Sequence, residues 1–174
     1  MIVLMAGLPG MGKSTLAREL ARRTSGRVLS KDEFRHTLFA SEEIEYSTPQ
    51  DDFCQELMLQ TASYLLARDP ARTIFLDGRP FSRRYQIANV VAAAAALHQR
   101  WRILECVCSA ESVRQRLEAD ASRREHPAGN RDYALYAEVR ARFEEILHPK
   151  TVIDTDQPLD TCVQVGMAAL SNPD

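Results

Sequence analysis

No apolar run in this sequence is long enough to cross a bilayer. The longest, Val90-Val91 followed by Ala92 to Leu97, is short and rich in alanine. Cysteine is scarce: 4 in 174 residues is too few for a disulfide scaffold and suits a reducing cytosol. Positive charge is not in excess. Lys plus Arg is 22 against 24 Asp plus Glu, a net charge of -2. That balance argues against a strongly basic nucleic-acid or membrane-surface binder, while leaving room for a local basic pocket. No basic stretch precedes the apolar N-terminal residues, so no secretory leader is expected and the domain is expected to begin close to Met1. Internal repeats and low-complexity linkers are absent. Cys106 and Cys108 lack the second pair that zinc needs and read as core thiols, and His36, His98, His126 and His148 form no metal spacing. No Asn-Lys-x-Asp tetrapeptide of the base-reading kind found in GTPases occurs.

What is present is ordinary for a soluble chain: 45% hydrophobic and 26% charged residues, and a length that fits one domain over 1–174. Short apolar runs alternate with helical patterns. Strands are expected at Ile2–Ala6, Arg27–Ser30, Thr73–Leu76, Arg102–Cys108 and Thr151–Asp154. Helices are expected at Ser14–Arg23, Lys31–Phe39, Asp51–Arg68, Ser82–Gln99, Glu111–Ser122, Tyr133–Leu147 and from about Leu159. The Ala92–Ala96 run reads as a helix surface that approaches the sheet closely. Strand–helix alternation implies an α/β fold with a parallel sheet covered on both faces. In such folds ligands sit beyond the carboxyl ends of the strands, so the residues just after each strand are the candidates for function.

Gly7-Leu8-Pro9-Gly10-Met11-Gly12-Lys13-Ser14-Thr15 matches G-x-x-x-x-G-K-[ST] in full, with a strand before it and a helix after it. Gly7, Gly10, Met11 and Gly12 let successive backbone N–H groups face phosphate oxygens. The helix start adds positive potential, Lys13 neutralises the β and γ oxygens, and Ser14 and Thr15 bring hydroxyls, that of Ser14 to Mg²⁺. ATP and Mg²⁺ are therefore the expected cofactors. Asp32, after the second strand, suits a general base for a substrate hydroxyl, with Arg35 on the same helix face. A helix cap and a solvated surface charge account for that pair equally well. Asp77 ends an apolar strand in the manner of a Walker B element and is a metal or substrate ligand. Five arginines, 114, 116, 123, 124 and 131, flank a break at Pro127 and Gly129. Arg116 and Arg124 are the leading candidates for closing over a triphosphate, on a lid at about 111–132. The loop from Asp154 through Thr155 to Pro158 lines an adenine pocket or simply caps the last helix. Phe34, Phe39, Tyr46 and Phe53 read by default as packing between helices.

Four segments, G-L-P-G-M-G-K-S-T, S-K-D-E-F-R, L-D-G-R-P-F-S-R-R and V-I-D-T, together resemble small P-loop kinases. These are the AAA-type ATP-binding kinase domains grouped with the phosphotransferase half of polynucleotide kinase, chloramphenicol phosphotransferase, gluconate kinase and the zeta toxins. The resemblance implies a three-layer P-loop fold with five parallel strands in the order 2-3-1-4-5 and a helical lid. It implies Asp32 as general base with Arg35 as its partner, Asp77 and Arg84 at the acceptor site, and Thr155 near the nucleotide. The family's lid spacing R-x-x-x-R is broken here, because Asp120 follows Arg116. The leading expectation is a cytoplasmic, ATP- and Mg²⁺-dependent kinase of a hydroxyl on a small metabolite, sugar or antibiotic. The near-neutral charge disfavours the alternative of a polynucleotide 5′-hydroxyl kinase. A nucleotide-dependent regulatory ATPase module is the other class. Neither the acceptor, the choice of ATP over GTP, nor the oligomeric state follows from the sequence.

Overall fold

The first strand, β1 (Ile2–Ala6), has no residue in contact with solvent. In the computed structural model, which describes residues 1–123 and 132–172, its side chains alternate between two cores. Val3 and Met5 enter one cluster and Ile2, Leu4 and Ala6 enter the other. This explains why the run is apolar at every position rather than at every second one: the strand is buried on both faces.

Four more strands complete the sheet: β2 (Arg27–Ser30), β3 (Ile74–Asp77), β4 (Trp101–Val107) and β5 (Thr151–Asp154). Their order is β2-β3-β1-β4-β5, and every neighbouring pair is parallel. Helices α1 (Lys13–Thr24), α5 (Ala110–Arg123), α6 (Tyr133–Ala141) and α7 (Leu159–Ser171) contribute to the first cluster through Leu16, Leu20, Val113, Leu117, Tyr136 and Val163. Helices α3 (Thr48–Arg68) and α4 (Arg84–Ala96) contribute to the second through Met58, Ala62, Leu66, Ile87 and Val90. Each fully buried aliphatic side chain contributes about 1.5–3 kcal/mol. Gly166 lets α7 lie close against α1, since a Cβ there would stand 3.0 Å from both terminal carbons of Leu20.

α2 (Lys31–Leu38) follows β2 without a loop. The hydroxyl of Ser30 caps it by accepting from the Glu33 amide at 3.4 Å. α3 begins three residues before its expected start, because the Ser47 hydroxyl accepts from the Gln50 amide and Pro49 occupies the first turn. The expected helix over Tyr133–Leu147 ends at Ala141. Beyond it the Glu144 amide donates to Ser82 O at 2.9 Å, and the Glu144 carboxylate accepts from the Arg84 amide at 2.7 Å and from Arg83. The chain thus leaves the helix to cap α4. The alanine run faces mostly outward. Ala94 alone of Ala92–Ala96 is buried, and Ile87 and Val90 carry the packing instead. No helix among the described residues is long and apolar enough to cross a membrane.

Register places the carboxyl ends of the strands on one edge, with Ser30 opposite Asp77 and Val107 opposite Asp154. The phosphate loop, the starts of α2 and α4, and the loop after β5 all gather there.

Candidate active site

The phosphate loop leaves β1 through Gly7, whose φ of 126° is open to glycine. A Cβ at this position would lie 2.4 Å from the carbonyl oxygen of Cys106, so the loop crosses β4 at a distance no side chain permits. Gly10 and Gly12 take φ of 80° and 74°. Gly12 caps α1, and the first turn of that helix carries no acidic side chain, which leaves its positive end uncompensated. Lys13 is buried and folds back to donate to Leu8 O at 2.8 Å. Met11 packs its side chain into the core, so only its backbone faces the loop.

Two cavities meet at Lys13 and Ser14, both of which line each cavity. The first, of ≈ 520 Å³, runs along Gly10, Gly12 and Thr15 to Arg116, Thr155 and Gln157. Here Arg116 of α5 ties three segments together. It donates to Gly10 O at 3.4 Å, to Thr155 Oγ1 at 2.9 Å and to Thr155 O at 2.7 Å. The Thr155 hydroxyl in turn donates to Met11 O or Val107 O, at 3.3 and 3.2 Å. Arg116 and Thr155 therefore hold the phosphate loop, α5 and the β5 exit in one arrangement beside the cavity.

The second cavity, of ≈ 250 Å³, holds Asp32, Arg35, Lys31 and Asp51, with Tyr46 and Arg79 on its wall and Leu135 and Val139 of α6 across from them. Asp32 does not cap α2, since Ser30 does. Nor is Arg35 a solvated charge, because it is 1% exposed. Its guanidinium bridges two carboxylates: Nη1 donates to Asp32 Oδ1 at 2.9 Å and Nη2 to Asp51 Oδ1. Lys31 Nζ donates to the same Asp51 oxygen at 2.8 Å and stands 3.6 Å from Asp32 Oδ1. Burial pushes the Lys31 ammonium down from 10.5 to about 8, opposed by the charge of Asp32. Tyr46, at a φ of 50°, places its ring 4.9 Å from the Arg35 guanidinium carbon. Arg79 is 3% exposed and braces the wall through Gln55 Oε1 at 2.8 Å and Asp52.

Asp77 ends β3 and is 4% exposed, and its Oδ1 has no hydrogen-bond partner. An orphaned buried carboxylate oxygen is a donor of the kind Mg²⁺ takes, as is the Ser14 hydroxyl, but Asp77 lines neither of these two cavities and instead borders a third hollow with Arg18, Ser30 and Glu33. Gly78, at a φ of 85°, lets the next turn lie on α2, with Lys31 N 3.0 Å from where a Cβ would be. Arg84 is exposed at the start of α4 and does not line the cavity, whereas its neighbour Arg83 does. Arg124 lies outside the described residues, as do most of the expected lid break and the side chain of Arg123.

Sequence reasoning did not single out Lys31, Asp51 or Arg79. Lys31 sat in plain view beside Asp32. Asp51 stands in the sequence only as the expected start of a helix, and no spacing rule links it to Asp32, 19 positions away.

A family model for an AAA domain matches residues 2–146. The chain belongs to the AAA-domain family. Solved structures agree on the fold. A provisionally named kinase from Chloroflexus aurantiacus J-10-fl has 20% identity and a TM-score of 0.74, over 98% of each chain. The APS kinase CysC of Mycobacterium tuberculosis, solved with AMPPNP and APS, has 18% identity and a TM-score of 0.69, over 98% of this chain and 97% of that one. Kti12 of Chaetomium thermophilum, solved with ADP-AlF3, has 13% identity and a TM-score of 0.72, over 99% and 100%. No curated protein sequence matches. The AAA-domain chain thus has the fold of the small P-loop kinases.

Proposed function

We propose that this protein is an ATP- and Mg²⁺-dependent kinase that transfers the γ-phosphoryl group to a hydroxyl of a small molecule. One observation carries the reading: the nucleotide-side cavity and a second cavity walled by Asp32 meet at Lys13 and Ser14. That is where a γ-phosphate on the loop would face an acceptor. ATP occupies the larger cavity, with its phosphates on the amides of the loop and its base toward Thr155 and Gln157. Lys13 neutralises the β and γ oxygens, and Arg116 shapes the nucleotide wall. Ser14 and Asp77 would hold Mg²⁺, which would supply charge neutralisation at the phosphates.

The acceptor enters the smaller cavity. Asp32 takes its hydroxyl proton as the oxygen attacks phosphorus, and ADP leaves. Arg35, whose two terminal nitrogens are engaged by Asp32 and Asp51, is a positioning residue. A cavity of ≈ 250 Å³ closed on one side by α6 suits a small acceptor better than a polynucleotide end. The four free cysteines, three of them buried, suit a reducing cytosol. The AMPPNP and ADP-AlF3 complexes of CysC and Kti12, proteins of the same fold, are consistent with ATP as donor.

The test is a transfer screen. Protein, Mg²⁺ and γ-labelled ATP are offered sugars, nucleosides, hydroxylated antibiotics and a 5′-hydroxyl oligonucleotide. Label is expected on a small molecule. Label on the oligonucleotide alone would overturn the acceptor class. Slow hydrolysis with no labelled acceptor would favour a regulatory ATPase.

A further inference from the structure

The acceptor cavity contains a second carboxylate that the proposed transfer does not use. Asp51 and Asp32 are held in the same way. Each has its Oδ1 fixed by the Arg35 fork, and Lys31 stands against both oxygens. Among the described residues, the hydrogen bonds to both aspartates reach Oδ1 and none reaches Oδ2, and both residues line the cavity. Their side chains are 8% and 23% exposed, so Asp51 is the more open of the two. Two cations against two carboxylates leave this cluster close to neutral, and the excess positive charge on the cavity wall comes from Arg79, Arg83 and Arg142 elsewhere. What the cluster offers instead is two acceptor oxygens held in place by shared cations.

We propose that Asp51 binds a second, non-reacting hydroxyl of the acceptor, so that the substrate is a polyhydroxylated small molecule with its reacting hydroxyl at Asp32 and a neighbouring hydroxyl at Asp51. This rests on the kinase reading above. Both hydroxyls donate, one to each Oδ2. The proton at Asp32 moves to the carboxylate as the new P–O bond forms and the bond to ADP breaks. The proton at Asp51 stays on its oxygen throughout. An acceptor that lacks the second hydroxyl leaves Asp51 Oδ2 desolvated without a donor, the arrangement that discriminates most strongly between related substrates.

The transfer screen supplies the probe: the sugar, nucleoside or antibiotic that takes label best, together with analogues in which each other hydroxyl in turn is replaced by hydrogen. With the wild-type chain, one analogue is expected to lose at least tenfold in kcat/KM. In Asp51→Asn the gap between parent and that analogue should close, through a raised KM for the parent and little change for the analogue. A purely structural role for Asp51 predicts something else, an equal loss for every acceptor and a fall in kcat. Asp51→Glu, which keeps the charge, should restore part of the discrimination. If every analogue reacts as well as the parent, if the best acceptor has a single hydroxyl, or if Asp51→Asn penalises parent and analogue alike, the assignment of Asp51 is wrong while the kinase reading stands. If ATP is hydrolysed and no acceptor in the screen takes label, the kinase reading fails and the assignment falls with it.

Discussion

Replacing Arg35 by Met should separate folding from nucleotide binding. The guanidinium is 1% exposed and is the shared partner of two carboxylates. Without it, Asp32 keeps only Lys31 at 3.6 Å, beyond hydrogen-bond reach, and remains buried. Removing one partner of a buried, hydrogen-bonded ion pair costs about 3–5 kcal/mol, because the remaining charge is left uncompensated. In a chain of this length each kcal/mol lowers Tm by roughly 2–4 °C, so the melt should fall by roughly 10 °C. The nucleotide cavity is built from the phosphate loop, α5 and the loop after β5, so ATP should still bind the folded variant while transfer is lost. Asp32→Asn removes the orphaned charge in advance, so adding Arg35→Met to it should cost clearly less than in the wild type. Thermal melts monitored by circular dichroism, ATP titrations below the transition and a phosphoryl-transfer assay measure these outcomes. A variant within 1 kcal/mol of wild type, or one that loses ATP binding in step with transfer, would refute the reasoning.

Lys31 gives a pH test with opposite signs. Its folded value of about 8 lies below the ordinary 10.5, so between these values the unfolded chain holds a proton that the folded chain does not. Stability from this group therefore rises with pH across that window, while activity falls above about pH 8 as Asp51 loses its ammonium partner. Lys31→Arg should move the alkaline limb of the activity profile upward, and parallel loss of stability and activity would contradict the assignment. Arg116→Ala removes the tie between Gly10 and Thr155 and should weaken ATP binding about tenfold, or about 1.4 kcal/mol, by calorimetry. Among the thiols, burial pushes Cys106 up to about 12, and Cys54 and Cys162 are also buried. A disulfide reagent should therefore modify half-buried Cys108 first in the native protein, and ATP, bound beside its neighbour Thr155, should slow that reaction.

The parts of the fold that periodicity could carry were legible. β1 is apolar at every position because it is buried on both faces, and the alternation of such short apolar runs with helical patterns is what implies a parallel sheet. The phosphate loop was legible because its glycines answer a local backbone demand, at Gly7 most severely. Helix ends set by distant partners were not. Nothing near Ala141 signals that Glu144 will leave the helix to cap α4. The acceptor site divides in the same way. Asp32 and Arg35 share a helix face, three residues apart, and their pairing could be anticipated. Asp51 reaches them only because α2 and α3 pack together, and Arg79 only because the turn after β3 lies across the start of α2. The outward alanines of α4 mark a limit of another kind, since a run of small residues shows what a surface tolerates and not which way it faces.

Asp32→Asn tests the central claim most directly. With the best acceptor from the screen, phosphoryl transfer and ATP binding are measured on the same preparation. The account predicts that transfer falls by about 10²–10⁴-fold, the range for loss of a general base, while ATP affinity is unchanged, because Asp32 lies on the acceptor side of Lys13. Transfer within tenfold of wild type, or loss of ATP binding together with transfer, would contradict it.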